Sequence, residues 1–307
     1  MSNKSVRLAV QDLAAQQDGV VSRAQARALG ADRDLIGHEE EMGRWQTIGF
    51  QSVACHRMPL AKPARWRIAV WEAGEHAALD GSTALQAGGL RNFDDGIHVI
   101  TPWPYGGRSW EGSQVHRSRL WNPEDFIEVG GLRRTRNDVA AARAGMYAKT
   151  NRAGATVMAM AVQQGLTAGE PVFLQVRRIN RHKRRTLLLV VARDNVDGAQ
   201  ALGELDFARM CRQRGLPEPS RQVVCRGPKG RVYLDVRWKQ FRVVVEIDGV
   251  HHDAPESSIG DALRQNAITI GRDAVLRIPV LGLRTVPEQF MDQVELMLTV
   301  AGWRRAA

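Results

Sequence analysis

The stretch RVYLDVRWKQFRVVVEIDGVHHD, residues 231–253, carries two alternating apolar and polar runs followed by a dense group of ionisable side chains. The alternation in VYLDVRW and RVVVEID predicts two β-strands, and the polar residues between them predict the turn of an antiparallel hairpin. With that turn centred between Lys239 and Gln240, Asp235 faces Val244. Glu246 is then its diagonal neighbour on the same face, about 7–8 Å away at Cα. Asp248, two residues beyond Glu246, joins them. Three carboxylates on one face repel one another unless a cation or protonation relieves them. Hard oxygen donors of this kind point to Mg2+ or Mn2+. The other reading of the stretch is a polar strand end running into an ordinary loop.

Upstream, ELDFARMCRQRGLPEP (204–219) predicts an amphipathic helix with Leu205, Ala208, Met210 and Cys211 on or near its apolar side. Gly215 stops it and Pro217 follows. Residues 151–192 read as helices broken at Gly165 and Gly169, and they contain RRINRHKRR (177–185), in which six of nine residues are basic. Arg177, Arg178, Arg181, Lys183, Arg184 and Arg185 are either phosphate contacts lining a groove or one solvated helix face.

The amino-terminal part has its own pattern. Leu8, Leu13 and Ala14 fit one helix face, Ser22 and Gly30 bracket a short second helix, and a third is predicted over residues 32–42. GRWQTIGFQSVA (43–54) then reads as a short hairpin. Three helices and a hairpin make a winged helix-turn-helix, whose third helix enters the major groove when such units bind DNA. The run Glu39, Glu40, Glu41 counts against that contact, because phosphates repel it. Between residues 58 and 145 a helical region at 62–88, strands in GIHVITP and SQVHRSRL, and a hairpin at Gly130 and Gly131 predict a mixed α/β region. His98 and His116 lie in alternating strand patterns and read as packed or solvated rather than ligating.

Composition sets the outer bounds. With 307 residues and 44% hydrophobic content, the chain can build two or three modest domains. Lys and Arg outnumber Asp and Glu 43 to 33, giving a net charge of +10, which favours a polyanionic partner such as DNA. No stretch reaches the roughly 18 apolar residues of a membrane span, so the expectation is a cytoplasmic protein without a membrane partner. The three cysteines, Cys55, Cys211 and Cys225, lack paired short spacings and suggest neither a disulfide framework nor structural zinc.

Glu204 ahead of RGLPEP, then LDVRW, VVVEIDGVHH, and DALRQNAI followed by AVLRIPV, together resemble the DUF559 family of the PD-(D/E)XK nuclease superfamily, which is similar to the very-short-patch repair endonuclease. The segment from GVVSRAQARALG to GRWQTIGF resembles the winged-helix unit of AbiEi-type antitoxins. The resemblance implies an α/β (α+β) chain: a winged helix-turn-helix over 1–57, a mixed α/β middle domain over 58–145, a helical basic connector over 146–195, and a restriction-endonuclease-like core over 196–307. It implies a DNA-binding, Mg2+- or Mn2+-dependent endonuclease leaving 5′-phosphate and 3′-hydroxyl ends. Asp235 and Glu246 become metal ligands and Ile247 lends its carbonyl. Glu204 reaches the metal through water, and His251 or His252 serves as general acid or base. Asp261 orients a histidine or opens the following helix, and Arg264 clamps phosphate. Asp248 stands where the superfamily has its lysine, and members of the family share an acid there. The rival expectation is a non-catalytic winged-helix regulator, antitoxin-like, with a degenerate nuclease domain. A homodimer stays open under either.

Overall fold

The computed structural model describes residues 2–105, 107–197, 207–226, 232–248, 259–260, 262–263, 265–266 and 275–305. Glu204, His251, His252, Asp261 and Arg264 lie outside these residues. The chain is α+β and divides into two compact units, Met1–Arg143 and Ala144–Ala307.

The first unit opens with α1 (Asn3–Ala15), β1 (Val20–Ser22), α2 (Arg23–Ala28), α3 (Arg33–Glu41), β2 (Gln46–Thr47) and β3 (Ser52–Ala54). This is the element order of a winged helix-turn-helix. The strands form an antiparallel sheet in the order β1-β3-β2. Local chemistry places the helices. Ser22 caps α2 in a full capping box with Gln25, Gly30 carries the chain out of it at φ +93°, and Asp32 accepts the Leu35 amide at 2.8 Å to start α3. One expected face is corrected: α1 buries Val6, Val10 and Ala14, while Leu8 is exposed. Residues four apart align on one helix face, and the Val6–Val10–Ala14 row meets Val21, Trp45 and Val53 in the core.

The same unit continues with α4 (Lys62–Ala73), β4 (Ala78–Leu79), α5 (Gly81–Ala87), β5 (His98–Pro102), β6 (Gln114–Ser118), β7 (Phe126–Val129) and β8 (Leu132–Thr135). The helical region expected at 62–88 is thus interrupted by a short strand. A five-stranded sheet runs β6-β5-β4-β8-β7, with β5–β6 and β4–β8 parallel. Gly130 and Gly131 both take positive φ to turn β7 into β8.

Helix α6 (Asn137–Tyr147) spans the junction of the units, and α7 (Asn151–Gln163), α8 (Gly169–Arg177) and α9 (Arg185–Asp197) follow. A Cβ on Gly154 would stand 2.6 Å from the Gly145 carbonyl oxygen, so glycine permits the close approach of α6 and α7. The basic run 177–185 is the link between α8 and α9 rather than one continuous helix face. Next come α10 (Phe207–Gln213), β9 (Arg221–Arg226), β10 (Val232–Trp238), β11 (Val243–Asp248), β12 (Leu276–Pro279), α11 (Val280–Thr285) and α12 (Pro287–Val300). The sheet order is β12-β11-β10-β9, parallel between β11 and β12 and antiparallel elsewhere. Its buried face carries Leu234, Val236 and Trp238 from β10 with Val243, Val245 and Ile247 from β11. Phe207 of α10 packs edge-on against Trp238, whose indole donates to the Pro217 carbonyl at 2.8 Å.

Candidate functional site: an acidic pair on the second sheet

The expected hairpin register is corrected by two residues. Lys239–Phe241 form a 3-10 turn and Arg242 takes a left-handed conformation at φ +54°, so that Trp238 pairs with Val243. Asp235 therefore stands directly opposite Glu246 and not Val244. Directly opposed residues bring their Cβ atoms to about 4.5–5.5 Å, closer than the diagonal spacing the sequence suggests. Asp248 lies two residues beyond Glu246 on the same face, opposite Tyr233. Ile247, between them, turns a fully buried side chain to the opposite face.

Each acid of the pair has a guanidinium. Asp235 is 2% exposed and accepts from Arg237 Nε at 3.0 Å and 2.8 Å on its two oxygens. Glu246 pairs with Arg277 Nε at 3.4 Å, from the directly registered position on β12. Each of the two facing carboxylates thus carries an arginine: Arg237 two residues along the same strand as Asp235, and Arg277 on the neighbouring strand beside Glu246. Asn266 secures the outer arginine's strand. It accepts from the Arg277 amide at 3.0 Å, donates to the Arg277 carbonyl at 2.9 Å, and is almost fully buried. Sequence reasoning missed Asn266, although an asparagine inside DALRQNAI, shortly before the apolar strand it binds, was the available signal.

The donor chemistry fits a hard divalent cation, since the pair offers oxygen alone. In number the donors fall short of a complete shell. Among the described residues, no three His, Cys, Asp or Glu side chains gather where one ion could bind them.

The basic run sorts into two classes. Arg184 is turned inward and 5% exposed, donating to Asn151 Oδ1 at 3.0 Å and to the Met146 carbonyl at 2.8 Å; this corrects its expected role as a phosphate contact. Arg177, Arg178, Arg181 and Lys183 are exposed, and Arg185 is half-buried with Nε donating to the Ile179 carbonyl at 2.6 Å. The acidic run on α3 also changes meaning. Glu39 is 2% exposed and forked by Arg44 at 2.5 Å and 2.8 Å, and that hydrogen-bonded partner holds its carboxyl below the usual carboxylate range. Glu40 accepts from the Thr47 amide, leaving Glu41 as the exposed member.

In the first unit the two histidines that the sequence reads as packed or solvated belong to a polar cluster, with His98 fully buried. On the parallel strands β5 and β6, His98 Nδ1 and His116 Nε2 are 2.9 Å apart with nearly parallel rings. Asp95 lies 3.2 Å from the other ring nitrogen of His98. Nearby, fully buried Asp80 accepts from Thr135 Oγ1 at 2.9 Å and pairs with Arg143 at 3.5 Å. Burial, and then the neighbouring His98, push the His116 pKa down to about 4.

What fold and site define is an α+β protein with a winged-helix amino-terminal part and an arginine-flanked acidic pair on a mixed four-stranded sheet. No family model matches the chain, and no curated protein matches it. No helix of the described residues is long and apolar enough to cross a membrane.

Proposed function

We propose that the chain is a DNA-binding, metal-dependent endonuclease of the PD-(D/E)XK kind. One observation carries the reading: Asp235 opposes Glu246 across adjacent strands, with Asp248 next along the same face. Clustering buried like charge costs stability, and catalytic sites are where such arrangements recur. Asp235 and Glu246 would hold Mg2+ or Mn2+ through their oxygens. When bound, the cation supplies Lewis-acid stabilisation of the scissile phosphate and a more acidic water. Arg237 and Arg277 neutralise the two carboxylates without metal; once the cation takes over, their planar donors are free to engage a phosphate. The exposed basic residues 177, 178, 181 and 183 would draw the DNA backbone to the same unit. The roles of Glu204, His251, His252 and Arg264 rest on the resemblance alone.

The test is cleavage of supercoiled plasmid and of duplex, branched and single-stranded DNA with Mg2+ or Mn2+, by wild type, Asp235→Ala and Glu246→Ala. Cleavage by wild type alone is the expected outcome. A second reading, a winged-helix DNA-binding regulator with no catalytic step, is favoured by the three helices and hairpin of residues 3–54 and by the internal engagement of Glu39 and Glu40. It takes over if all three proteins leave every substrate intact and retard DNA equally.

A further inference from the structure

A groove of about 560 Å³ runs along the α8–α9 pair, within the 300–1,000 Å³ range of small-molecule sites. The helices are antiparallel neighbours: a Cβ on Gly169, at the start of α8, would stand 2.6 Å from the carbonyl oxygen of Asn195, near the end of α9. Arg185, Leu189, Arg193 and Asp197 follow at intervals of four along one face of α9. Phe173 and Arg177 do the same on α8, and all six line the groove. From Arg185 to Asp197 the rise is about 18 Å.

The charges are unevenly distributed along it. At the far end Asp197 pairs with Arg193 at 2.5 Å, and Asp194, 6% exposed, is forked by Arg284 of α11 at 2.9 Å and 3.1 Å. Two arginines there are matched by two carboxylates. At the near end Arg177 and Arg185 both reach the groove, and among the described residues neither has an ion pair. Between the ends lies an apolar strip of Phe173, Leu189 and Val190, with the Arg193 guanidinium 5.7 Å from the Phe173 ring centre.

We infer that this groove binds a nucleoside phosphate, with the phosphates at Arg177 and Arg185 and the ring system along Phe173, Leu189 and Val190. Two guanidiniums at one end of a groove are suited to phosphate oxygens, Arg185 through the nitrogens that its bond to the Ile179 carbonyl leaves over. An inorganic anion would occupy the near end and leave the apolar strip wet. A planar base covers that strip by stacking on the Phe173 ring and packing against Leu189 and Val190. The neutralised far end adds no net charge to repel the base and offers Asp197 as an acceptor for sugar hydroxyls or exocyclic amines. The proposal is independent of the acidic pair on the sheet.

Calorimetric titration of the full chain tests it, using the four ribonucleoside diphosphates, pyrophosphate and a short single-stranded oligonucleotide as probes. At least one diphosphate should bind about tenfold or more tightly than pyrophosphate. Arg177→Ala with Arg185→Ala should weaken that diphosphate by at least about tenfold, and Phe173→Ala should weaken it without changing pyrophosphate. Leu174→Ala, at an exposed position outside the groove lining, serves as the control, and each variant's melting curve shows that it is folded. Equal binding of pyrophosphate and diphosphates, indifferent to Phe173, reduces the groove to an anion site and overturns the inference. Binding of the oligonucleotide alone also overturns it, by making the groove part of a strand-binding surface. No binding of any probe does so as well.

Discussion

Asp235 and Glu246 present like charge across a strand pair, an arrangement that is destabilising unless a counter-charge offsets it. Arg277 Nε stands 3.4 Å from Glu246 and is largely exposed, so solvent screens that ion pair. On the proposed reading, Glu246→Gln should abolish stabilisation by Mg2+ or Mn2+. Melting curves with chelator and with each metal measure this, and a variant that each metal stabilises as much as wild type sinks the metal reading. His116 gives a pH prediction. Its folded pKa of about 4 lies below the ordinary value of about 6.5, so between these values the unfolded chain binds the extra proton. The stabilisation is full above about pH 6.5 and is lost as pH falls towards about 4. Solvent screening at a half-buried ring limits the loss to about 1–2 kcal/mol. Around the ring, His98 disfavours the extra charge while Asp80 and Asp95 favour it. Urea midpoints at pH 7 and pH 4.5 should differ less in His116→Gln than in wild type; an unchanged difference removes His116 as the cause.

Elements with local signals hold their expected places. Ser22 and Asp32 begin α2 and α3 because a side-chain oxygen three residues before an amide satisfies it wherever the helix packs. Asp32→Ala should accordingly cost about 1 kcal/mol, read as a lower melting temperature of the full chain, and no change would mean that packing alone holds α3. The strands β10 and β11 were legible for a similar reason, since alternation reports a buried face directly. Their register was not. It depends on Arg242 in a left-handed conformation, which glycine or asparagine would advertise and arginine does not. Sequence placed Asp235, Glu246 and Asp248 on one face, but missed the direct opposition that makes the first two a pair. The basic run shows another limit. Charge pattern alone does not reveal that Arg184 turns inward to Asn151 and the Met146 carbonyl, because both partners lie more than thirty residues earlier in the chain. The polar cluster around His98 and His116 has the same origin, since its members meet through a parallel strand pair and not through sequence spacing.

At the scale of the molecule, the helical segment and the four-stranded sheet belong to one compact unit, Ala144–Ala307. The reason is physical. Helix α11 follows directly on edge strand β12 and packs against both α7 and α9, with Val280, Leu281 and Leu283 buried. Asp194 of α9 is forked by Arg284 of α11. Burial pushes the Asp194 pKa up while that arginine draws it down, as expected of a carboxylate whose desolvation is only partly repaid. The apolar contacts must supply the net attraction. Uncovering three such leucine- or valine-sized side chains costs about 1.5–3 kcal/mol each, comparable to the whole stability of a small domain. A fragment of residues 137–307, which keeps α6 intact, should therefore unfold cooperatively in urea. A fragment of 198–307, which keeps the sheet but loses α7 and α9, should unfold at much lower urea or fail to show a cooperative transition. Far-UV circular dichroism of the two fragments decides the matter. Equal midpoints would make residues 146–195 a connector whose packing contributes nothing to the sheet, and the segment would then owe its place to the basic residues it displays.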